Sequence, residues 1–299
     1  MKIIVLGCAA GGGSPQWNCR CTICSLAWSG DSRVRRRTQA SIAVSTDSEN
    51  WCLLNCSPDI REQIDCVGAL RPHRDVRHSP ISHVVLTNAD IDHIGGLLSL
   101  REGHRFTVHA TGDTLEVLKQ NTVFDVLAPN IVSRRRLEID AVQQITPELA
   151  VECFMVPGKL PLYLEGPAPE TSLKSGNTIG VKVTAGAKSF YYIPGCAELD
   201  AETRSRIANA ALVFFDGTLW TDNEMIASGT GQKSGRRMGH MPVGGADGSL
   251  SVLTRLGIGK LVYTHMNNTN PMLLDGSDEY QAVVAAGAEV GYDGMEISL

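Results

Sequence analysis

Short apolar runs recur along the whole chain, and several of them alternate apolar with polar residues. Val, Ile and aromatic side chains dominate these runs, which is typical of β-strands. The pattern predicts ten strands, at residues 2–7, 40–45, 51–56, 83–87, 106–110, 150–156, 178–185, 189–195, 211–217 and 260–266. Helical spacing of apolar residues occurs between some of these strands and predicts helices at residues 113–127 and 278–290.

Strands dominate this pattern, and the helices fall at intervals instead of following every strand. That order favours an α/β fold with two packed sheets and flanking helices over a doubly wound parallel sheet. The chain has 299 residues, of which 43% are hydrophobic, so it can bury a sizeable core. Because no repeat or Pro/Ser-rich linker divides the sequence, we expect a single domain over residues 1–299.

The charge and hydropathy of the chain exclude two classes of partner. The formal net charge is −5, which does not favour a nucleic-acid partner. No apolar run approaches the roughly 20 residues that cross a bilayer, and the first run, Ile3–Leu6, is too short for a signal peptide. We therefore expect a cytoplasmic protein without a membrane partner. The one basic cluster, Arg33–Arg37, fits either a solvated strand edge or a clamp for an anionic group.

Three of the nine cysteines, Cys19, Cys21 and Cys24, form a Cys-x-Cys-x-x-Cys cluster. Three thiolates on one loop are typical ligands of structural zinc, so we predict a zinc-binding loop at about residues 15–30. The fourth ligand stays open between a distant histidine, Asn268, another cysteine and a water molecule. We expect the scattered cysteines to pack as small hydrophobic residues: Cys8, Cys52, Cys56, Cys66 and Cys153.

The stretch "TNADIDHIGGL", Thr87–Leu97, places two aspartates and a histidine in a turn between a predicted strand and a helix that starts after the paired glycines. Asp90 and Asp92 could cap that helix, but capping explains one aspartate better than two and a histidine. Other polar residues stand at the ends of later strands or on a glycine-flanked loop, and they could converge with this turn at one sheet edge: Asp216, His240 and His265.

The same stretch resembles the H-x-H-x-D-H motif, followed by Gly-Gly-Leu, of the metallo-β-lactamase superfamily. "CRCTIC" narrows the resemblance to a branch that carries an extra zinc and serves the biosynthesis of pyrroloquinoline quinone (PQQ). The segments "GGGSPQWNC", "WCLLNCSPDIREQI", "FFDGTLW", "MGHMP" and "THMNNTNP" extend this resemblance over the whole chain. The resemblance implies an αββα sandwich of two mixed β-sheets flanked by helices.

The departures from the superfamily motif bear on the chemistry. Asn88 and Asp90 stand where the superfamily has its two leading histidines, and Gly195 and Cys196 stand near its bridging aspartate. A further ligand histidine is missing near "FMVPGKLPLY". The second metal position keeps a complete set of two imidazoles and one carboxylate: Asp92, His93 and His265. Such a set with open positions suits non-haem Fe(II), although another divalent metal would also bind.

The resemblance therefore implies an iron- and O₂-dependent hydroxylase that acts on a tyrosine-derived precursor, a Glu-Tyr unit from a peptide. Asp90, Asp216 and His240 would lie beside the metal or carry protons, and an arginine among Arg35–Arg37 would hold a substrate carboxylate. Other PQQ-pathway proteins are expected partners, and a homodimer is a further expectation. Two alternatives remain, a carrier for PQQ or its precursor and a mononuclear zinc hydrolase.

Overall fold

The computed structural model of the chain describes residues 1–166, 170–171 and 173–299. Two mixed seven-stranded sheets pack face to face. The first sheet has the strand order β14-β1-β2-β3-β4-β5-β6, with antiparallel pairing from β14 to β3 and parallel pairing from β3 to β6. Its strands are β1 (Lys2–Gly7), β2 (Ser41–Ser45), β3 (Trp51–Leu54), β4 (Ile81–Val85), β5 (Phe106–Ala110), β6 (Val132–Arg136) and β14 (Glu296–Ser298).

The second sheet repeats this arrangement, with the strand order β13-β12-β11-β10-β9-β8-β7. Pairing is parallel from β13 to β10 and antiparallel from β10 to β7. Its strands are β7 (Val142–Gln144), β8 (Ala150–Gly158), β9 (Leu173–Ala185), β10 (Lys188–Ile193), β11 (Val213–Asp216), β12 (Leu261–Thr264) and β13 (Ala288–Val290). The ten strands expected from the sequence all correspond to strands of the structure.

Short helices connect and flank the two sheets. The α-helices are α1 (Thr22–Ser29), α2 (Ile60–Cys66), α3 (Ile91–Ile94), α4 (Gly112–Gln120), α5 (Ala201–Ile207), α6 (Glu224–Ala227), α7 (Ser249–Leu253) and α8 (Asp278–Ala285). Short 3₁₀ helices lie at Gly68–Leu70, Gly95–Leu100, Thr122–Val126, Leu162–Leu164, Arg236–Met238 and Pro271–Leu273. The expected α/β sandwich of two mixed sheets flanked by helices is confirmed.

The strand β1 shows how alternation along a strand supplies two hydrophobic cores. Ile3 and Val5 belong to the core between the sheets, whereas Ile4 and Leu6 belong to the core under the helices that cover the first sheet. Successive side chains of a strand point to opposite faces, so a strand covered on both sides has apolar residues throughout. β1 also pairs with β14, so the first and last strands of the structure lie side by side in one sheet.

Several expected details are wrong. The helix expected at residues 113–127 ends at Gln120 and continues only as a 3₁₀ turn. The helix expected at residues 278–290 ends at Ala285, because Gly287 has a φ of 76° and the chain then forms β13 beside β12.

Cys66 is exposed at the end of α2, although the other four scattered cysteines are buried as expected. Among the described residues, no helix is long and apolar enough to cross a membrane.

Candidate metal centre

The acidic turn follows β4 and leads directly into α3. The helix begins at Ile91, before the paired glycines, and not after them as the sequence suggested. The Asn88 side-chain oxygen accepts a hydrogen bond from the Asp90 backbone N–H (2.9 Å). A Cβ at Gly96 would overlap the carbonyl oxygen of Ser57, so the second glycine allows the 3₁₀ helix after α3 to pack closely on the segment that follows β3.

Asp90 occupies the N-cap position of α3, but its side chain makes no capping hydrogen bond. Instead its Oδ1 accepts a hydrogen bond from the Leu162 backbone N–H (3.2 Å) and lies 3.9 Å from Nζ of Lys159. The capping alternative therefore does not account for this aspartate. Burial raises the pKa of Asp90, and the charge of Asp92 adds to that effect while Lys159 opposes it.

The fold brings Asp92, His93 and His265 together from two remote segments. Oδ2 of Asp92 lies 3.0 Å from Nε2 of His265 and 3.8 Å from Nε2 of His93. Donors that share one ion at about 2.1 Å lie roughly 3.0–3.4 Å apart. The separation of Asp92 from His265 lies in this range and that from His93 exceeds it by 0.4 Å, and all three ligand atoms lie within 4.8 Å of one another, so a small shift of His93 would allow them to share one metal ion.

Thr218 fixes the orientation of His265, which directly follows β12 and has a φ of 56°. The Thr218 hydroxyl lies 2.6 Å from Oδ1 of Asp216 and 2.9 Å from the His265 carbonyl oxygen, both of which only accept hydrogen bonds. It also lies 2.9 Å from Nδ1 of His265. Because the hydroxyl has a single proton for these acceptors, Nδ1 of His265 must donate to it. Nε2 of His265 is then the nitrogen that can bind a metal.

His93 supports a metal in this place more directly than its neighbours do. Its side chain is 1% exposed, and Nε2 has no hydrogen-bond partner among the described residues. Its other nitrogen, Nδ1, lies 3.3 Å from the hydroxyl of Thr87, which is itself bonded to Asn55. A buried polar atom without a partner is unfavourable, so Nε2 of His93 fits a position beside a metal ion.

The electrostatics of Asp92 and His93 suit metal binding near neutral pH, whereas the raised pKa of His265 opposes it. Burial lowers the pKa of His93 to about 4, so its imidazole is neutral and can act as a ligand. Burial alone would raise the pKa of Asp92, but His93 and His265 outweigh it and lower this pKa. Burial would lower the pKa of His265, but the hydrogen bond to Asp92 outweighs it and raises the pKa.

A second group, Asp216, His240 and His265, lies directly beside the first and shares His265 with it. Asp216 ends β11 and is fully buried, and its Oδ2 accepts from the Cys196 backbone N–H (2.8 Å) and lies 2.6 Å from Nδ1 of His240. The ring of His240 stacks on that of His265 with centroids 5.1 Å apart. Burial would raise the pKa of Asp216, but His240 outweighs it and lowers this pKa.

A cavity of about 540 Å³ opens onto these groups. Such a volume is typical of small-molecule sites. Asp90, Asp92, His240 and His265 line it, together with the apolar side chains of Leu162, Met225 and Met238 and the charged side chains of Lys159, Glu165 and Lys233. Three residues at this cavity were not predicted from the sequence: Thr218, Lys159 and Glu165. Of these, only Thr218 had a signal in the sequence, since it lies two residues after Asp216.

The arginine cluster does not reach this cavity, which corrects the expectation for Arg35–Arg37. The guanidinium carbon of Arg35 lies 4.7 Å from the ring centroid of Tyr292, and that of Arg36 lies 4.8 Å from the ring centroid of Trp28. Arg37 is buried, and its Nε donates to the Gly291 carbonyl oxygen (3.0 Å). None of these three arginines lines the cavity in the part of the chain that the structure describes.

The cysteine cluster forms a separate site beside the same loop that carries His265. The Sγ atoms of Cys19, Cys21 and Cys24 lie within 4.8 Å of one another. The side-chain nitrogen of Asn268 lies 3.1, 3.6 and 3.2 Å from them, respectively. Turning the amide by 180° would place its oxygen over the sulfurs instead. The geometry therefore favours Asn268 among the candidates for the fourth zinc ligand.

Comparisons with known proteins agree with this architecture. Residues 50–266 match the family described as "Beta-lactamase superfamily domain". Coenzyme PQQ synthesis protein B of Rhizobium meliloti is 50% identical, with 100% of this chain and 98% of the relative covered. The protein of the same name from Methylobacterium nodulans is 48% identical over the full length of both chains.

A solved structure, Zn²⁺-bound PqqB from Methylobacterium extorquens, superposes with a TM-score of 0.98 at 49% identity, and both chains are covered completely. That relative binds zinc, which supports a metal in this family. Both the sequence match to the Rhizobium meliloti protein and the structural match to the Methylobacterium extorquens protein cover the whole of this chain. The chain therefore belongs to the coenzyme PQQ synthesis protein B family of the β-lactamase superfamily, a family of PQQ biosynthesis.

Proposed function

We propose that the protein is a non-haem iron- and O₂-dependent hydroxylase in PQQ biosynthesis, and that it acts on a tyrosine-derived Glu-Tyr precursor. The observation that carries this proposal is the group formed by Asp92, His93 and His265. It offers two imidazoles and one carboxylate, and Nε2 of His93 is buried without a partner among the described residues. Sites of this composition in other proteins leave positions on the metal free for substrate and oxygen.

The positions that depart from the superfamily motif are used for internal bonds. Asn88 accepts from the Asp90 N–H, Asp90 contacts Leu162 and Lys159, and the Cys196 N–H donates to Asp216. These bonds speak against a two-zinc hydrolase of the kind that the superfamily motif implies. They favour a single metal held by Asp92, His93 and His265.

In this proposal a bound Fe(II) supplies the capacity to react with O₂. Asp216 holds Nδ1 of His240, so Nε2 of His240 is the atom that can exchange a proton with a ligand in the cavity. Asp90 lies between the metal group and Lys159, where it positions the cavity wall near Leu162. Leu162, Met225 and Met238 provide apolar surface for the aromatic ring of the substrate.

The direct test is turnover. The protein is purified without oxygen, loaded with Fe(II), and mixed first with Glu-Tyr and then with O₂ and a reductant. We expect a product that is heavier by one oxygen atom, and we expect none from His265→Ala. Unchanged Glu-Tyr under several reductants, from protein with one bound iron per chain, would contradict the proposal.

The two alternatives make different predictions in the same preparation. A mononuclear zinc hydrolase would cleave phosphoester, lactone or peptide substrates when loaded with Zn²⁺. A carrier would bind PQQ with the same affinity in wild type and in the Asp92→Ala and His93→Ala variants. The single domain, the homodimer, the pathway partners and the cytoplasmic location stay predictions.

A further inference from the structure

Four charged side chains form a cluster at the wall of the cavity that Asp92 and His265 also line. Glu165 is its centre, with a side chain that is only 5% exposed. Its carboxylate lies 2.9 Å from Nζ of Lys159, 3.0 Å from Nη1 of Arg237 and 3.5 Å from Nζ of Lys233. Three cations from two separate segments therefore converge on one buried carboxylate.

The charges in this cluster do not balance. Lys159, Lys233 and Arg237 carry three positive charges, whereas Glu165 and the neighbouring Asp90 carry two negative charges. Lys159 uses its donors within the protein, on the Leu160 carbonyl oxygen (3.1 Å) and on Glu165. The side chain of Lys233 is 38% exposed, and its contact with Glu165 is the longest of the three. Lys233 thus keeps donors for a further anion.

The position of the cluster relates it to the metal group. Lys159, Glu165 and Lys233 line the same cavity as Asp92 and His265, and Asp90 lies beside both groups. A small molecule that filled the cavity would therefore contact both the ammonium groups and the metal group. The apolar side chains of Met225 and Met238 line the same cavity.

We propose that Lys159 and Lys233 form a carboxylate-binding position that selects substrates with a free carboxylate. This inference rests on the proposed dipeptide substrate, and it assigns to these lysines the role that the sequence suggested for Arg35–Arg37. Lys159 supplies charge from a fixed position, and Lys233 supplies the hydrogen bonds. The competing explanation is that the cluster only ties the segment Lys159–Glu165 to the segment Lys233–Arg237.

Calorimetry on the full chain, loaded with Fe(II) and kept free of oxygen so that no oxidation occurs, separates the two explanations. The ligands are Glu-Tyr, Gln-Tyr and Glu-tyrosinamide, and each analogue lacks one carboxylate. If the lysines bind one of the two carboxylates, wild type should bind Glu-Tyr about tenfold more tightly than the analogue that lacks that carboxylate. Lys233→Met should remove that preference by weakening Glu-Tyr about tenfold and that analogue less than twofold. The exposed Lys188 supplies the matched control Lys188→Met, which should keep the preference.

Lys159→Met should reduce the same preference, with thermal unfolding recorded to show that the variant is folded. Equal affinity of wild type for all three ligands would overturn this inference alone and leave the hydroxylase proposal standing. Equal weakening of all three ligands by Lys233→Met would also overturn it, in favour of a purely structural cluster. Absence of binding for all three would overturn both proposals. If the preference for Glu-Tyr is present and is lost in Lys233→Met, but no oxidation occurs in the turnover test, only the hydroxylase proposal is contradicted.

Discussion

Replacing Thr218 by valine tests how the chain prepares His265 for a metal. Valine keeps the shape of threonine but removes the hydroxyl that accepts from Nδ1 of His265 and donates to Asp216. Two buried polar groups lose a partner, since Asp216 is fully buried and His265 is 6% exposed. An unmade hydrogen bond of this kind costs about 1–3 kcal/mol, so we expect a loss of about 3 kcal/mol in the free energy of unfolding.

The same substitution should weaken metal binding. Residues that orient a metal-binding histidine typically contribute about 10- to 100-fold in metal affinity. We therefore expect Thr218→Val to raise the Kd for Co²⁺ or Fe²⁺ by this factor, measured without oxygen against a chromophoric chelator. Thr218→Ser keeps the hydroxyl and should stay close to wild type. Wild-type affinity in Thr218→Val would refute the role of Thr218 in orienting His265 for a metal, and equal losses in both variants would show that the hydroxyl is not the cause.

Two further predictions concern the loop that carries His265. Glu224 is buried beside this loop, accepts from the Thr269 hydroxyl (2.6 Å), and has a pKa that burial raises to about 7 from 4.5. The folded state holds this proton more tightly than the unfolded state, so stability should fall as the pH rises from about 4.5 to 7, by about 3 kcal/mol. Urea unfolding of Glu224→Gln at pH 5 and pH 8 should lack that part of the decline, and an identical pH dependence in both proteins would count against it. Asn268→Ala should weaken zinc binding to the cysteine cluster by at least about tenfold, measured by chelator competition. The exposed Asn130→Ala should have no effect, and unchanged zinc affinity in Asn268→Ala would exclude Asn268 as a ligand.

The sequence predicted the buried strands well and the sheet edges poorly, for one physical reason. The strands that the apolar pattern missed, β6, β7, β13 and β14, are the four edges of the two sheets. Edge strands are short and carry polar side chains, because one side of the backbone faces solvent or other segments. β6 has the sequence VSRRR and β7 has the sequence VQQ, neither of which shows an apolar run.

The candidate site divides in a similar way. Asp92, His93 and His265 could be identified because aspartate and histidine are metal ligands and because they lie in the segments that follow two strands, α3 after β4 and the loop after β12. Lys159 could not, and Thr218 had only its place two residues after Asp216 as a signal, since threonine and lysine are common at surfaces and their roles depend on contacts with distant segments. The arginine cluster shows the converse error, because its charge is visible in the sequence but its stacking on Tyr292 and Trp28 is not.

The most direct test of the metal centre is anomalous diffraction from crystals grown without oxygen and with Fe(II). Data on both sides of the iron absorption edge locate iron independently of any zinc in the cysteine cluster. We predict one iron peak within bonding distance of Oδ2 of Asp92, Nε2 of His93 and Nε2 of His265. An iron peak at Asp216 and His240 instead, or zinc at the cysteines with no iron elsewhere, would contradict the proposed centre.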